Sequence, residues 1–162
     1  MKPTTLETRQ LFCTFRLDGQ LFGVDILDVK EVTTEITCTQ IAHSPDEVRG
    51  LVNIRGHIHL ALDMRGLLGL PTVPQTDSSR LILFKPAVGS AFGVIVDEIA
   101  EIHAVTPHQI EPFTVEQFDA LTSQLRRIDL IDSVAKLPRE LLVILNPRRF
   151  LRIVETNFAG PA

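Results

Sequence analysis

Leu11-Phe12-Cys13-Thr14-Phe15-Arg16-Leu17-Asp18-Gly19-Gln20-Leu21-Phe22-Gly23-Val24-Asp25-Ile26-Leu27-Asp28-Val29-Lys30-Glu31-Val32 is the stretch on which the reading of the whole chain turns. Laid over residues 81–102, about 70 positions further on, it stays in step. Leu11-Phe12 falls on Leu81-Ile82, Phe22-Gly23-Val24 on Phe92-Gly93-Val94, Ile26 on Val96, Val29 on Ile99, Glu31 on Glu101 and Val32 on Ile102. Self-similarity at one spacing marks a duplicated unit, because each copy keeps its buried positions at the same offsets. A second echo closes each half at an offset of 83: Leu62-Asp63-Met64-Arg65-Gly66-Leu67-Leu68 matches Leu145-Asn146-Pro147-Arg148-Arg149-Phe150-Leu151. Asp63 and Asn146 suit a helix N-cap, and Pro147 suits the first helical position, where its missing N–H has no partner to lose. Each half is expected to end in a strand that runs into a short helix.

Working outward, Asp18-Gly19 reads as a tight hairpin turn, since glycine accepts the positive φ such a turn needs. Strands are expected over 11–17, 20–26, 51–55, 57–62, 81–85, 91–96 and 141–145. In the strand at 57–62 a period of two sets Ile58, Leu60 and Leu62 toward a core and His57 and His59 outward. Pro71 and Pro74 mark residues 70–79 as the connection between the halves, and Thr106-Pro107 and Glu111-Pro112 mark later loops. Helical spacing occurs over 114–127, where Val115, Phe118, Leu121 and Leu125 recur, and over 147–154. With few helices to cover sheet edges, two small β-barrels sharing an interface are the economical architecture.

The 162 residues, 44% hydrophobic and 22% charged, fit one ordinary domain or two tightly joined subdomains. A net charge of −4 and a pI near 5.7 give no footprint for nucleic acid, and the only adjacent basic pairs are Arg126-Arg127 and Arg148-Arg149. No run approaches the ~18 apolar residues of a membrane helix. The first ten residues are polar and lack the apolar core of a leader peptide. Cys13 and Cys38 have no C-x-x-C spacing, so two small thiols in a reducing, cytoplasmic setting are expected.

Few constellations suggest chemistry. His57 and His59 share a strand face and would supply two metal ligands, but no third follows at a recognisable spacing, so exposed strand residues are the preferred reading over a metal-dependent enzyme. Gly-x-Ser-x-Gly and the phosphate-cradling glycine motifs are absent. The adjacent pairs Asp46-Glu47 and Asp97-Glu98 would point to opposite faces of a strand, as solvated charge does. In residues 44–56, Val52 and Ile54 point one way and Leu51, Asn53 and Arg55 the other. One reading is a hairpin with ordinary solvated polar groups; the other makes Arg55, beside Gly56, a recognition residue, because a planar guanidinium can hydrogen-bond a partner and glycine permits close approach.

Phe22-Gly23-Val24-Asp25-Ile26-Leu27-Asp28-Val29-Lys30-Glu31-Val32, the segment from Pro45 to Gly56 with its Asn53-Ile54-Arg55-Gly56, and Leu62-Asp63-Met64-Arg65 together resemble the CheW family of chemotaxis adaptors. The later blocks Phe92-Gly93-Val94-Ile95-Val96-Asp97 and Leu141-Leu142-Val143-Ile144-Leu145-Asn146 match in the same order. The resemblance implies a mainly β fold of two pseudo-repeated five-stranded SH3-like barrels with short helices, one of them C-terminal. It implies a single CheW-like domain over 10–155, with barrels at about 10–75 and 76–155 and scope for strand exchange, between flexible ends at 1–9 and 156–162.

The resemblance further implies no catalytic activity and no cofactor, and a scaffold recruited to membrane-associated receptor arrays without inserting in the membrane. It would join the cytoplasmic tip of a chemoreceptor to the regulatory domain of a CheA-type histidine kinase, in chemotaxis or in a related pathway such as pilus-driven motility. The receptor-binding positions it implies are Val29, Glu31, Gly50, Asn53, Arg55, Leu81 and Gly93, with Glu31 pairing with Arg55 to orient it. The chain departs from the family pattern at Leu60, where proline is usual, at Ser133, where glycine is common, and in an insertion over 123–129.

Overall fold

The computed structural model describes residues 8–114 and 128–158. The expected helix over 114–127, Thr114 apart, and most of the insertion over 123–129 lie outside them, as do most of the expected flexible N-terminus and the last four residues. Among the described residues twelve strands form two sheets: β1 Gln10–Leu17, β2 Gln20–Asp25, β3 Val29–Thr33, β4 Val48–Ile54, β5 His57–Asp63, β6 Arg80–Phe84, β7 Phe92–Val96, β8 Glu98–Ile99, β9 His103–Val105, β10 Ile110–Pro112, β11 Ile131–Lys136 and β12 Leu141–Leu145. Helix α1, Met64–Leu68, follows β5, and helix α2, Phe150–Phe158, follows β12 after a single turn of tighter helix. Thus α2 runs past the expected end at Val154.

One sheet has seven strands in the order β10-β11-β12-β2-β1-β8, with β9 also on β1, and the other has five in the order β3-β6-β7-β5-β4. Hairpin β1–β2 therefore lies beside β12, against which β2 runs parallel, and hairpin β6–β7 lies beside β5, against which β7 runs parallel. The halves exchange hairpins. The repeat is visible in the register: Gly23 stands opposite Ile144 across one parallel pair, and Gly93 opposite Ala61 across the other.

The expected mainly β fold with a C-terminal helix is present, but the two expected five-stranded barrels are two sheets, of seven and five strands, without barrel closure among the described residues. Among the described residues no ladder joins β3 to β4. Residues 34–40 fill that seam instead: Thr39 pairs with Leu51 through two hydrogen bonds of 2.8 Å, and Ile36 enters the core behind it.

Burial explains which strands the sequence announces. The largest core lies between the sheets, where Phe15, Phe22, Val24 and Val143 of one face Leu62, Ile82, Phe92 and Val94 of the other, closed by Met64, Leu67 and Phe150 from the helices. Aromatic pairs lock it, Phe84 on Phe92 at 5.1 Å and edge-on to Phe150 at 5.9 Å. Each sheet's other face carries a smaller core, with Ile36, Val52, Ile54 and Leu81 on one and Phe12, Leu21, Leu142 and Ile144 on the other. Strands covered on both faces become continuous apolar runs, as Leu81–Phe84 and Phe92–Val96 are. Burying each such side chain contributes roughly 1.5–3 kcal/mol.

Several local expectations need correcting. His59 is buried and Ile58 is 55% exposed, because residues 34–38 cover the face that would otherwise be open while the other face is bare near the turn. Glu47 is buried and Asp97 is ion-paired, so neither acidic pair is simply solvated charge. Glu111-Pro112 is strand rather than loop, tolerated because β10 is an outer strand of its sheet, where a residue without an N–H can leave its missing donor on the unpaired side.

Candidate functional site

The β4–β5 hairpin is closed by Ile54 opposite His57, with Arg55 at φ 49° and Gly56 at φ 86°. Two successive positive φ values match the right-handed twist of the strands, as at Asp18 and Gly19 between β1 and β2. Glycine, asparagine and aspartate adopt this conformation readily; arginine does so at a cost of order 1–3 kcal/mol. Asn53 holds the turn by accepting the Gly56 N–H on Oδ1 at 2.8 Å. Val52 and Ile54 are buried beneath it, anchoring the tip.

The Arg55 guanidinium pairs with the Glu31 carboxylate on β3. Arg55 retains 61% of its side-chain exposure and Glu31 28%, so the pair lies at the surface with the arginine outermost. Since β3 and β4 are the two outer strands of the five-stranded sheet, this ion pair spans the seam that no ladder closes.

Glu31, Leu83, Gly93, Ala61 and Gly50 form one row of register partners across that sheet. Both glycines there answer a steric demand. A Cβ on Gly50, at φ 145°, would drive into the carbonyl of Thr39, whose carbon would be 2.9 Å away. A Cβ on Gly93 would lie 2.5 Å from the carbonyl oxygen of Ile82. Of the seven positions that the family resemblance singles out, Glu31, Asn53 and Arg55 come together at the turn. Val29 is half-buried against the main core, and Gly50, Leu81 and Gly93 are interior. These last three can act on a partner only through the shape of the sheet.

Sequence reasoning missed a buried cluster at the far end of the same sheet. Arg65, on α1 with 8% of its side chain exposed, places Nε 3.0 Å from both Asp97 oxygens and Nη2 2.6 Å from Asp97 Oδ2 and from Asp18 Oδ1. Nη1 donates to the Pro71 carbonyl at 3.1 Å. The hydrogen bonds that Arg65 donates to Asp97 and then to Asp18 outweigh burial and hold the guanidinium even more firmly charged than usual. Asp18 belongs to the β1–β2 turn, so the cluster ties one sheet to the other. Its counterpart in the second half is Arg148, 3.0 Å from Asp28. The repeated Arg65 and Arg148 were the available signal.

Among the described residues no three His, Cys, Asp or Glu side chains converge as metal ligands would, and His59 Nδ1 sits 3.1 Å from the His57 carbonyl. No described helix is long and apolar enough to cross a membrane. Cys13 and Cys38 are free thiols, both pushed up from the ordinary thiol range by burial.

Comparison with known proteins places this geometry in a family. The chain is 30% identical over 103 residues to the chemotaxis protein CheW of Klebsiella aerogenes, a match covering 64% of this chain and 61% of that protein. The chain thus spans about three fifths of that relative's length. It is 24% identical to the CheW of Bacillus subtilis over 83% of this chain and 91% of the relative, and 32% identical to protein PilI of Pseudomonas aeruginosa over 52% and 47%. The crystal structure of scaffolding protein TtCheW from Thermoanaerobacter tengcongensis shares the fold, with a TM-score of 0.77 at 23% identity over 93% of this chain and 97% of that one. The model of the CheW-like domain matches residues 11–155, nearly the whole length, and the chain belongs to that family.

Proposed function

We propose that the chain is a non-catalytic adaptor that couples a chemoreceptor to a CheA-type histidine kinase. In this reading it works in the cytoplasm, held at receptor arrays by its partners, and transmits receptor state by fixed geometry rather than by making or breaking bonds. The receptor tip docks where Glu31, Asn53 and Arg55 meet, with Val29 beside them and Gly50, Leu81 and Gly93 shaping the sheet underneath. The observation that carries this is Arg55: it occupies an unfavourable backbone conformation at a hairpin tip, braced by Asn53 and Glu31, with its guanidinium facing solvent. Strain of that kind persists where a side chain must be presented in one place.

The similarity to protein PilI supports a second setting, the same adaptor role in pilus-driven motility. Reconstitution tests the function. Receptor cytoplasmic fragment and kinase, mixed with this chain, should elute as one assembly, and omission of the chain should release the kinase. Kinase that associates equally well without the chain would refute the coupling role.

A further inference from the structure

The two halves end their final strands differently. Asp63 Oδ1 accepts the Arg65 N–H at 3.2 Å, and Asn146 Oδ1 accepts the Arg148 N–H at 3.1 Å. Asparagine caps a helix as well as aspartate does, so the cap needs no charge. Yet Asp63 is a carboxylate only 3% exposed. Burial pushes its carboxyl up from the usual range, against the pull of Arg49 and of the Arg65 and Gly66 N–H groups. Its second oxygen, Oδ2, is buried and accepts no hydrogen bond. The nearest cation, Arg49 Nη2, stands 3.5 Å away, beyond good hydrogen-bond range, on a side chain 27% exposed.

Asp63 and Arg49 line an open cleft of about 1010 Å³ between residues 40–49 and 69–74. Acidic groups outnumber cations in its lining, with Asp46, Glu47 and Asp63 against Arg49, His43 being the remaining titratable group. The cleft is far from the proposed receptor site: Asp63 is at one end of β5 and the Arg55 turn at the other, roughly 20 Å along a seven-residue strand.

We propose that this cleft binds a guanidinium or ammonium head, which takes the place of Arg49 at Asp63 Oδ2. The head belongs either to a free small molecule or to a lysine or arginine on an extended segment of a partner protein. Arg49 is a loose placeholder, since its Nη2 stands 3.5 Å from Oδ2, longer than a good hydrogen bond. An incoming donor at normal distance makes a charge-assisted bond that Arg49 does not.

The test is NMR titration of the ¹⁵N-labelled full chain at low salt with methylguanidinium, and separately with a short end-blocked peptide whose only charged group is one arginine. Both should give saturable shifts at Val48, Asp63, Gly66 and Thr72, and the tighter of the two identifies the source. Asp63→Asn, which keeps the cap as Asn146 does, should weaken binding at least about tenfold through loss of a charged partner. Arg49→Ala should strengthen it by removing the competitor, and Arg55→Ala should leave it unchanged. No saturable shift in that cleft, or shifts indifferent to Asp63→Asn, would overturn the proposal and leave Asp63 a structural carboxylate satisfied by water.

Discussion

Arg65 and Arg148 occupy equivalent places in the repeat but differ in what their loss should do. Arg65 holds two carboxylates while 8% exposed, so Arg65→Ala strands Asp97 and Asp18 at the junction of the sheets. Breaking a fully buried pair costs about 3–5 kcal/mol, and because both aspartates keep some contact with water we expect about 2–4 kcal/mol here by urea denaturation. Arg148 is 50% exposed, so Arg148→Ala should cost less than about 1 kcal/mol in the same assay.

A second charge effect belongs to this scale. Arg16 donates to both oxygens of Glu140, at 2.9 and 2.8 Å, and that hydrogen bonding holds the Glu140 carboxyl below its ordinary range. A carboxyl with a lowered folded-state pKa stabilises above the unfolded value, and the gain disappears as pH falls through the folded value. Both side chains are a third exposed, so the gain is at most about 1 kcal/mol, or roughly 2–4 °C for a domain of this size. Glu140→Gln should therefore lower Tm slightly at pH 7 and leave it unchanged in strong acid. Equal loss at both pH values would remove the charge from the explanation.

At the level of elements, the two interior glycines of the candidate site make the sharpest prediction. Gly50→Ala adds a Cβ against Thr39 in a conformation that favours glycine, and Gly93→Ala sets one against Ile82, so each should destabilise by about 2–4 kcal/mol. Gly56→Ala, with nothing within 4 Å, should cost only the strain of its φ, about 1 kcal/mol or a little more. Urea midpoints of the three variants rank them.

The same elements show what a reader of the sequence could see. Strands β1, β2, β6, β7 and β12 announce themselves as apolar runs or through Asp18-Gly19, because both their faces are largely covered, whereas β4 and β5 were visible through alternation. Strand β11 is less visible, since Asp132 and Ser133 interrupt it and a bulge shifts its register, and β8, β9 and β10 are three residues or fewer. Asp63 and Asn146 were legible as caps because capping is local. The Arg65 cluster was not, because Asp18, Arg65 and Asp97 meet only when three distant segments pack. Arg55 stood out as a lone arginine beside glycine, but its partner Glu31 was expected only through the family resemblance.

Over the whole molecule, the hairpin exchange has a direct consequence for folding. Sheet partners β2 and β12 come from opposite ends of the chain, and so do the partners of the main core. Neither residues 1–75 nor residues 76–162 should fold alone, and the two fragments mixed should recover the dispersed amide spectrum of the intact chain. A dispersed spectrum from either fragment by itself would contradict this topology as the unit of folding.

The same plan leaves the Arg55 turn at one end of β5 and α1 with the Arg65 cluster at the other, so a partner at the turn need not disturb that cluster. Binding of receptor cytoplasmic fragment to wild type and to Arg55→Ala, measured by calorimetry with Tm checked on both, tests the docking role directly. Truncating an arginine that becomes desolvated at an interface costs about 2–5 kcal/mol, so Kd should rise at least about 30-fold at unchanged Tm. An unchanged Kd in a folded Arg55→Ala chain would contradict the account.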